Sequence, residues 1–277
     1  MLIETSRGKL EHVTVGEGPC VLALHGAMGG HDQSLLLART IGDAGYRYLA
    51  VSRPGYLGTA LRSGRSPAEQ ADLYAAALDA LGVRSVAVMA VSGGGPSALE
   101  FALRHRERCW ALVLVSTCSG GVATKIPMSF QLTKRLLRWR WFADAMRRRA
   151  EHDPRRAAGR SIADPVAREL FAELLASTFD RPHLRLRGTE NDIAVARSTE
   201  YALERVEVPA LVVHGTEDPL VPFELHGRRL AERIPGAELL AIPGGEHACI
   251  FTHRDEVRAR VGSFLRTHAP NAHRALA

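Results

Sequence analysis

At 277 residues, 46% of them hydrophobic, the chain can bury a core without disulfide support. Its four cysteines (Cys20, Cys109, Cys118, Cys249) show neither CxxC pairing nor histidine partners at zinc spacing, which argues against a metal site and for free thiols in a reducing cytoplasm. The net charge of +6 is local: residues 120–200 hold 16 Lys/Arg against 10 Asp/Glu and the remainder holds 20 of each, so the basic excess reads as a solvated helix face and no nucleic-acid partner is expected.

The first residues, MLIETSRGKLEH, turn polar at once and lack the apolar core of a signal peptide. No run reaches the roughly 18 apolar residues of a spanning helix, so a cytoplasmic chain without a transmembrane segment is expected. LIETS and LEHVTVG pattern as an antiparallel hairpin at a sheet edge. Short, nearly continuous apolar runs follow at Val21–Gly26, Tyr46–Ser52, Val86–Ser92 and Ala111–Ser116. Such runs suit strands buried on both faces of a parallel sheet. Between the second and third of them lies SPAEQADLYAAALDALG. Ser66 is a cap residue there, Pro67 fits the first turn, Glu69 closes a capping box and Gly82 ends the helix.

The strand–helix alternation stops between about Gly120 and Glu200, where KRLLRWRWFADAMRRRA and DPVARELFAELLASTF are helical in pattern. It resumes with strands at Ala210–Gly215 and in AELLAIPG, which ends at Gly244; Val257, Val261, Phe264 and Leu265 then mark one face of a last helix. The pattern predicts a doubly wound α/β core, residues 1–119 and 201–277, carrying a helical insertion over 120–200.

The stretch AVSGG, Ala90–Gly94, puts one serine between a buried strand and a helix, with small residues two positions to either side. A turn that sharp tolerates only small neighbours and raises the Ser92 hydroxyl above the carboxyl end of the sheet. A glycine-rich capping turn is the bland alternative, and a phosphate loop is disfavoured because no lysine follows the glycines. Two later loops raise the odds of catalysis. HGTEDPLVP puts Asp218 just past one strand, and PGGEHACIF puts His247 just past the next. A serine hydroxyl needs an imidazole base, and that base needs a carboxylate to hold its tautomer. LHGAMGG, Leu24–Gly30, can present backbone amides; Ala27, with Met28 as the adjacent choice, pairs with Gly93 as an oxyanion donor.

With the His25-Gly26 loop, SRPGYLGT at Ser52–Thr59, the sharp elbow turn at Ala90–Gly94 and the Asp218 and His247 loops in place, the chain resembles the α/β-hydrolase superfamily. The resemblance covers nearly the whole chain. It implies a mostly parallel sheet of about eight strands, the triad Ser92–Asp218–His247, and a cap or lid at 120–200. Serine at the elbow separates the chain from the haloalkane dehalogenase and epoxide hydrolase branches, which carry aspartate there. HGAMGG is not the histidine-glycine-glycine-proline-glycine loop of proline iminopeptidases, and Ala248 follows His247 where carbon–carbon bond hydrolases of aromatic degradation usually carry tryptophan. Ser52 stands where many relatives have aspartate.

The expected activity is hydrolysis of small or medium carboxylic esters through an acyl-enzyme, with no cofactor and no metal. Acyl transfer, carbon–carbon bond hydrolysis and a receptor-like ligand-binding role are the alternatives. Met28, Met128, Trp139, Trp141 and Phe142 are candidates for the substrate pocket or for the insertion's own core. Arginines around Arg135–Arg149 read as solvated, His25 as a loop support, and His214, His226 and His253 as surface or core-edge residues. Glu217 and Glu246 are weaker candidates than Asp218 for the acid, and Cys249 reads as a buried inert thiol. A homo-oligomer is compatible with the sequence.

Overall fold

The computed structural model describes residues 1–120, 136, 139–152, 162–196 and 199–270. Eight strands form one sheet: β1 (Leu2–Thr5), β2 (Gly8–Val15), β3 (Cys20–Leu24), β4 (Arg47–Val51), β5 (Val86–Val91), β6 (Cys109–Val115), β7 (Ala210–Gly215) and β8 (Glu238–Ile242). Their order is β1-β2-β4-β3-β5-β6-β7-β8. The β1–β2 and β2–β4 pairs are antiparallel and all the others parallel.

Helices α1 (His31–Ile41), α2 (Pro67–Ala80) and α3 (Gly95–Arg104) connect the early strands, α7 (Gly227–Arg233) connects β7 to β8, and the single turn α8 (Cys249–Thr252) and α9 (Arg254–His268) follow β8. Alternate residues of each central strand serve opposite layers. Val86, Val88 and Ala90 of β5 pack with α2, α3 and Leu230 of α7, whereas Ala87 and Met89 pack with α1 and α9. This two-sided burial is why the strands read as unbroken apolar runs. β8, at the edge, is only partly buried.

Local signals act as their chemistry requires. The Ser66 side chain accepts from the Glu69 amide and the Glu69 carboxylate accepts from the Ser66 amide, forming both halves of the capping box. Gly82 turns the chain out of α2 at φ 63. β6 begins at Cys109, two residues before the expected run, beside an irregularity in its pairing with β5 between Val86 and Ala87.

Between β6 and β7 the described helices are α4 (Arg140–His152), α5 (Pro165–Phe179) and α6 (His183–Ala196). The Asp164 side chain caps α5 by accepting from the Val166 amide, and Phe171 of α5 meets Phe251 of α8 edge to face at 5.1 Å. The α6 backbone joins the loop after β4 through Leu57 N–H to Leu184 O (2.9 Å) and Gly188 N–H to Gly55 O (3.0 Å). This approach needs a glycine: a Cβ on Gly188 would lie 2.2 Å from the Tyr56 ring. Among the described residues no helix is long and apolar enough to cross a membrane.

Candidate active site

β5 ends at Val91, and Ser92 sits at φ 50, a conformation that costs a non-glycine residue on the order of 1–3 kcal/mol. The glycines that follow let the elbow press against β3. A Cβ on Gly94 would lie 2.8 Å from the carbonyl oxygens of both Leu24 and His25, and one on Gly95 would lie 2.5 Å from Thr117 Cβ. Ser92 is thereby fixed at the carboxyl end of the parallel strands, where open α/β sheets present their ligand sites.

Two loops meet it there. His247, between β8 and α8, places Nε2 3.2 Å from Ser92 Oγ and Nδ1 2.8 Å from Asp218 Oδ2. Nδ1–H donates to the carboxylate, which leaves Nε2 to accept the serine proton. The other Asp218 oxygen accepts from the Leu220 and Val221 amides, both at 2.9 Å. The Asp218 side chain is fully buried, whereas His247 keeps 24% exposure. Burial alone pushes the Asp218 carboxyl up, but hydrogen bonds from His214, His247 and the Val221 amide outweigh it and hold the group well below the usual carboxylate range. Asp218 is the carboxylate bonded to His247 Nδ1, and Glu217 is exposed.

His25 is buried between two backbone groups. Its Nδ1–H donates to Gly26 O at 2.7 Å and its Nε2 accepts from Arg53 N–H at 2.9 Å, which fixes one neutral tautomer. Burial, then the neighbouring Arg53 charge, keep its basicity well below that of free imidazole. Ala27 is exposed between buried neighbours, and its amide nitrogen would be 3.5 Å from a Cβ placed on Gly93. The Met28 amide is occupied, donating to Thr189 Oγ1 at 2.9 Å. Of the two loop amides, Ala27 is therefore the one positioned with Gly93 beside Ser92.

The candidate pocket residues divide. Met28 packs with Ala143 and Leu186, and Phe142 and Phe179 lie against the same cluster. Trp139 and Trp141 are 61% and 63% exposed, with ring centroids 6.5 Å apart, and the Trp141 ring meets Phe142 edge to face at 5.8 Å. On α4 the exposed positions Trp141, Ala145 and Arg148 form one stripe, opposite Phe142 and Ala143. Met128 lies outside the described residues. Cys249 is buried, with Sγ 3.8 Å from Ser116 Oγ, and burial pushes its thiol up to about 11. Ser52 Oγ donates to Glu11 Oε2 at 2.7 Å and accepts from His31 N–H at 2.9 Å, so β2 supplies a carboxylate beside it.

Sequence reading missed several residues at the rim. His214, fully buried rather than at the core edge, places Nε2 3.4 Å from Asp218 Oδ2 and 2.8 Å from Val221 O. His226 is also buried, and its Nδ1 accepts from Ser119 N–H at 3.2 Å. Arg53, within the quoted SRPGYLGT, is fully buried and ion-paired with Asp192 of α6. Tyr56 O–H donates to the same carboxylate at 2.5 Å. A charged residue placed directly after a predicted parallel strand was the available signal for Arg53. Asp192 offered none beyond helical spacing.

A mostly parallel eight-stranded sheet with serine, histidine and aspartate in mutual contact at its carboxyl rim defines a class of hydrolase architecture. A family model for the alpha/beta hydrolase fold matches residues 19–254, and the chain belongs to that family. It is similar to a solved alpha/beta hydrolase fold protein from Nakamurella multipartita, with 37% identity, a TM-score of 0.79, and coverage of 96% of this chain and 98% of that one. Among curated proteins it is 29% identical to the uncharacterized hydrolase YcgS of Bacillus subtilis over 87% of this chain and 88% of that protein. It is 27% identical to a 2-hydroxy-6-oxononadienedioate/2-hydroxy-6-oxononatrienedioate hydrolase of Burkholderia vietnamiensis over 81% and 78% respectively.

Proposed function

We propose that this α/β-family hydrolase is a serine carboxylesterase acting on small or medium acyl esters. The observation that carries the proposal is His247 bridging Ser92 Oγ and Asp218 Oδ2 at hydrogen-bond distance. Ser92 Oγ attacks the ester carbonyl as His247 Nε2 takes its proton. Asp218 holds the imidazole and stabilises its cationic form. The Ala27 and Gly93 amides receive the negative charge on the carbonyl oxygen. Collapse of this intermediate expels the alcohol, which takes the proton back from His247. Water, deprotonated by His247, then attacks the acyl-Ser92 ester, and collapse of the second intermediate releases the acid and restores the hydroxyl.

On this reading the described helices α4, α5 and α6 belong to a cap, and Met28 with Phe142 contributes apolar surface to the site. The reaction uses no cofactor, and the free thiols suit a cytoplasmic location. The test is covalent labelling by a fluorophosphonate together with hydrolysis of p-nitrophenyl esters of graded chain length. Both activities vanish in Ser92→Ala if the proposal is correct. A folded wild-type protein that resists labelling and cleaves no ester overturns it.

A second reading is carbon–carbon bond hydrolysis by the same three residues, favoured by the similarity to the Burkholderia vietnamiensis protein. Turnover of that relative's named substrate faster than any ester in the panel would select it.

A further inference from the structure

Helix α6 carries Arg185, Thr189 and Asp192 at the spacing i, i+4, i+7, which is one helical face. Arg185 and Thr189 are buried and Asp192 is largely so, and the face they form meets α1, the loop that holds Ala27, and Arg53. Arg185, fully buried, forms a fork-like pair with Asp32, NH1 to Oδ1 at 3.1 Å and NH2 to Oδ2 at 2.6 Å. Thr189 Oγ1 accepts from the Met28 amide at 2.9 Å while donating to Arg185 O at 3.1 Å. Asp192 pairs with Arg53 and accepts from Tyr56 O–H. Arg53 in turn donates from Nε to His25 O at 2.8 Å and from NH2 to Gly26 O at 3.3 Å.

The peptide unit is planar and trans, so fixing a carbonyl on one side aims the N–H on the other. The Gly26 carbonyl and the Ala27 N–H belong to one such unit, and that carbonyl is held by Arg53 and by His25 Nδ1. The next unit ends at the Met28 N–H, held by Thr189. Both peptide planes flanking Ala27 are thus pinned, one through Asp192 and Arg53 and the other directly from α6. The Asp192 carboxylate also comes close to the elbow, since a Cβ on Gly93 would lie 3.3 Å from its Oδ2 and 3.6 Å from Arg53 NH2. Arg53 therefore also neutralises an anion beside the place where an oxyanion forms.

We infer that Thr189 and Asp192 of α6, the latter through Arg53, are positioning residues that aim the Ala27 amide at the oxyanion, so that the inserted segment completes the catalytic rim as well as covering it. The inference rests on the hydrolase reading above.

The test compares Thr189→Val, which keeps the shape and removes the acceptor, with Thr189→Ser, which keeps the acceptor. The substrate is p-nitrophenyl acetate, and an alkyl trifluoromethyl ketone serves as probe. Ser92 adds to its carbonyl carbon, the serine proton passes to His247 and the former carbonyl oxygen becomes an oxyanion. Acetate, the product acid, reports ground-state binding. The inference expects Thr189→Val to lose about tenfold to a hundredfold in kcat with KM within about twofold. Ketone affinity falls in step with kcat/KM, acetate inhibition stays unchanged, and Thr189→Ser recovers the loss. Wild-type kcat and ketone affinity in a folded Thr189→Val protein would overturn it, as would a loss that falls equally on acetate binding. Should Thr189→Val not fold, Tyr56→Phe takes its place, removing one donor to Asp192. A fall in kcat and ketone affinity at constant KM supports the inference, and unchanged values overturn it. Wild type that resists both fluorophosphonate and ester removes the hydrolase reading itself; wild type that is labelled and active beside equally active variants removes only the role given to α6.

Discussion

His214 and Asp218, four residues apart across the end of β7, lie with Nε2 and Oδ2 3.4 Å from each other, and the same carboxylate oxygen accepts from His247 at 2.8 Å. Asp218 is thus held from both sides while its other oxygen takes two backbone amides. Such a carboxylate stays ionised and cannot rotate away from the imidazole. Asp218→Asn keeps the shape but loses the charge that holds the Nδ1–H tautomer. The expected fall in kcat is on the order of 10³–10⁴ with little change in fold. Steady-state kinetics on the best p-nitrophenyl ester checks it, and a loss under tenfold would assign the acid role elsewhere.

The depressed Asp218 carboxyl also sets an acid limb for stability. A carboxyl whose folded value lies below its unfolded one, near 3.9, contributes stability that is complete above the unfolded value and is lost as pH falls through the folded one. Wild type should therefore lose stability between about pH 4 and lower pH more steeply than Asp218→Asn does. Urea melts across that window measure the two slopes; parallel slopes would mean that the carboxyl is not depressed.

Ser92 at φ 50 predicts a stability cost of keeping a side chain at the elbow. Ser92→Gly should exceed Ser92→Ala in stability by about 1 kcal/mol, with both equally inactive. Thermal or urea denaturation of the two variants decides it. Equal stabilities would show that the turn carries no strain.

At α6 the expected failure is steric. Gly188→Ala would force a methyl group to 2.2 Å from the Tyr56 ring, where the two backbones are joined by the bond from Gly188 N–H to Gly55 O. A loss of about 1–3 kcal/mol follows, as for other overpacked sites. Ser66→Ala provides the contrast at the start of α2: about 1 kcal/mol lost with the capping box and kcat untouched.

What could be read in the chain follows from locality. Ser92 and Asp218 sit just past buried strands and His247 past the partly buried edge strand β8, each in a loop rich in glycine or proline, so their neighbours announce both the turn and the side chain it presents. The succession of strands along the chain follows from apolar runs separated by helical repeats. The Arg53–Asp192 pair has no such local mark: its members are 139 positions apart, and Asp192 lies in a segment whose charge resembles a solvated face. Trp139 and Trp141 were hard to place for the converse reason. Aromatic content suggests a pocket, but only helix phase decides which face a ring occupies, and here both rings face outward.

The same distant pair yields a prediction that separates charge from packing. Arg53→Met leaves the Asp192 carboxylate largely buried with Tyr56 as its donor among the described residues, and removing one member of a buried pair costs about 3–5 kcal/mol. Asp192→Asn in the same background removes the stranded charge while keeping an oxygen for the tyrosine. The double variant should therefore regain much of the stability lost by Arg53→Met alone. It should not regain kcat, because the His25 and Gly26 carbonyls still lack the guanidinium that holds them. Urea melts of the single and double variants, read beside their kcat values, carry the comparison. Recovery of kcat together with stability would show that Arg53 acts at this rim only by neutralising Asp192.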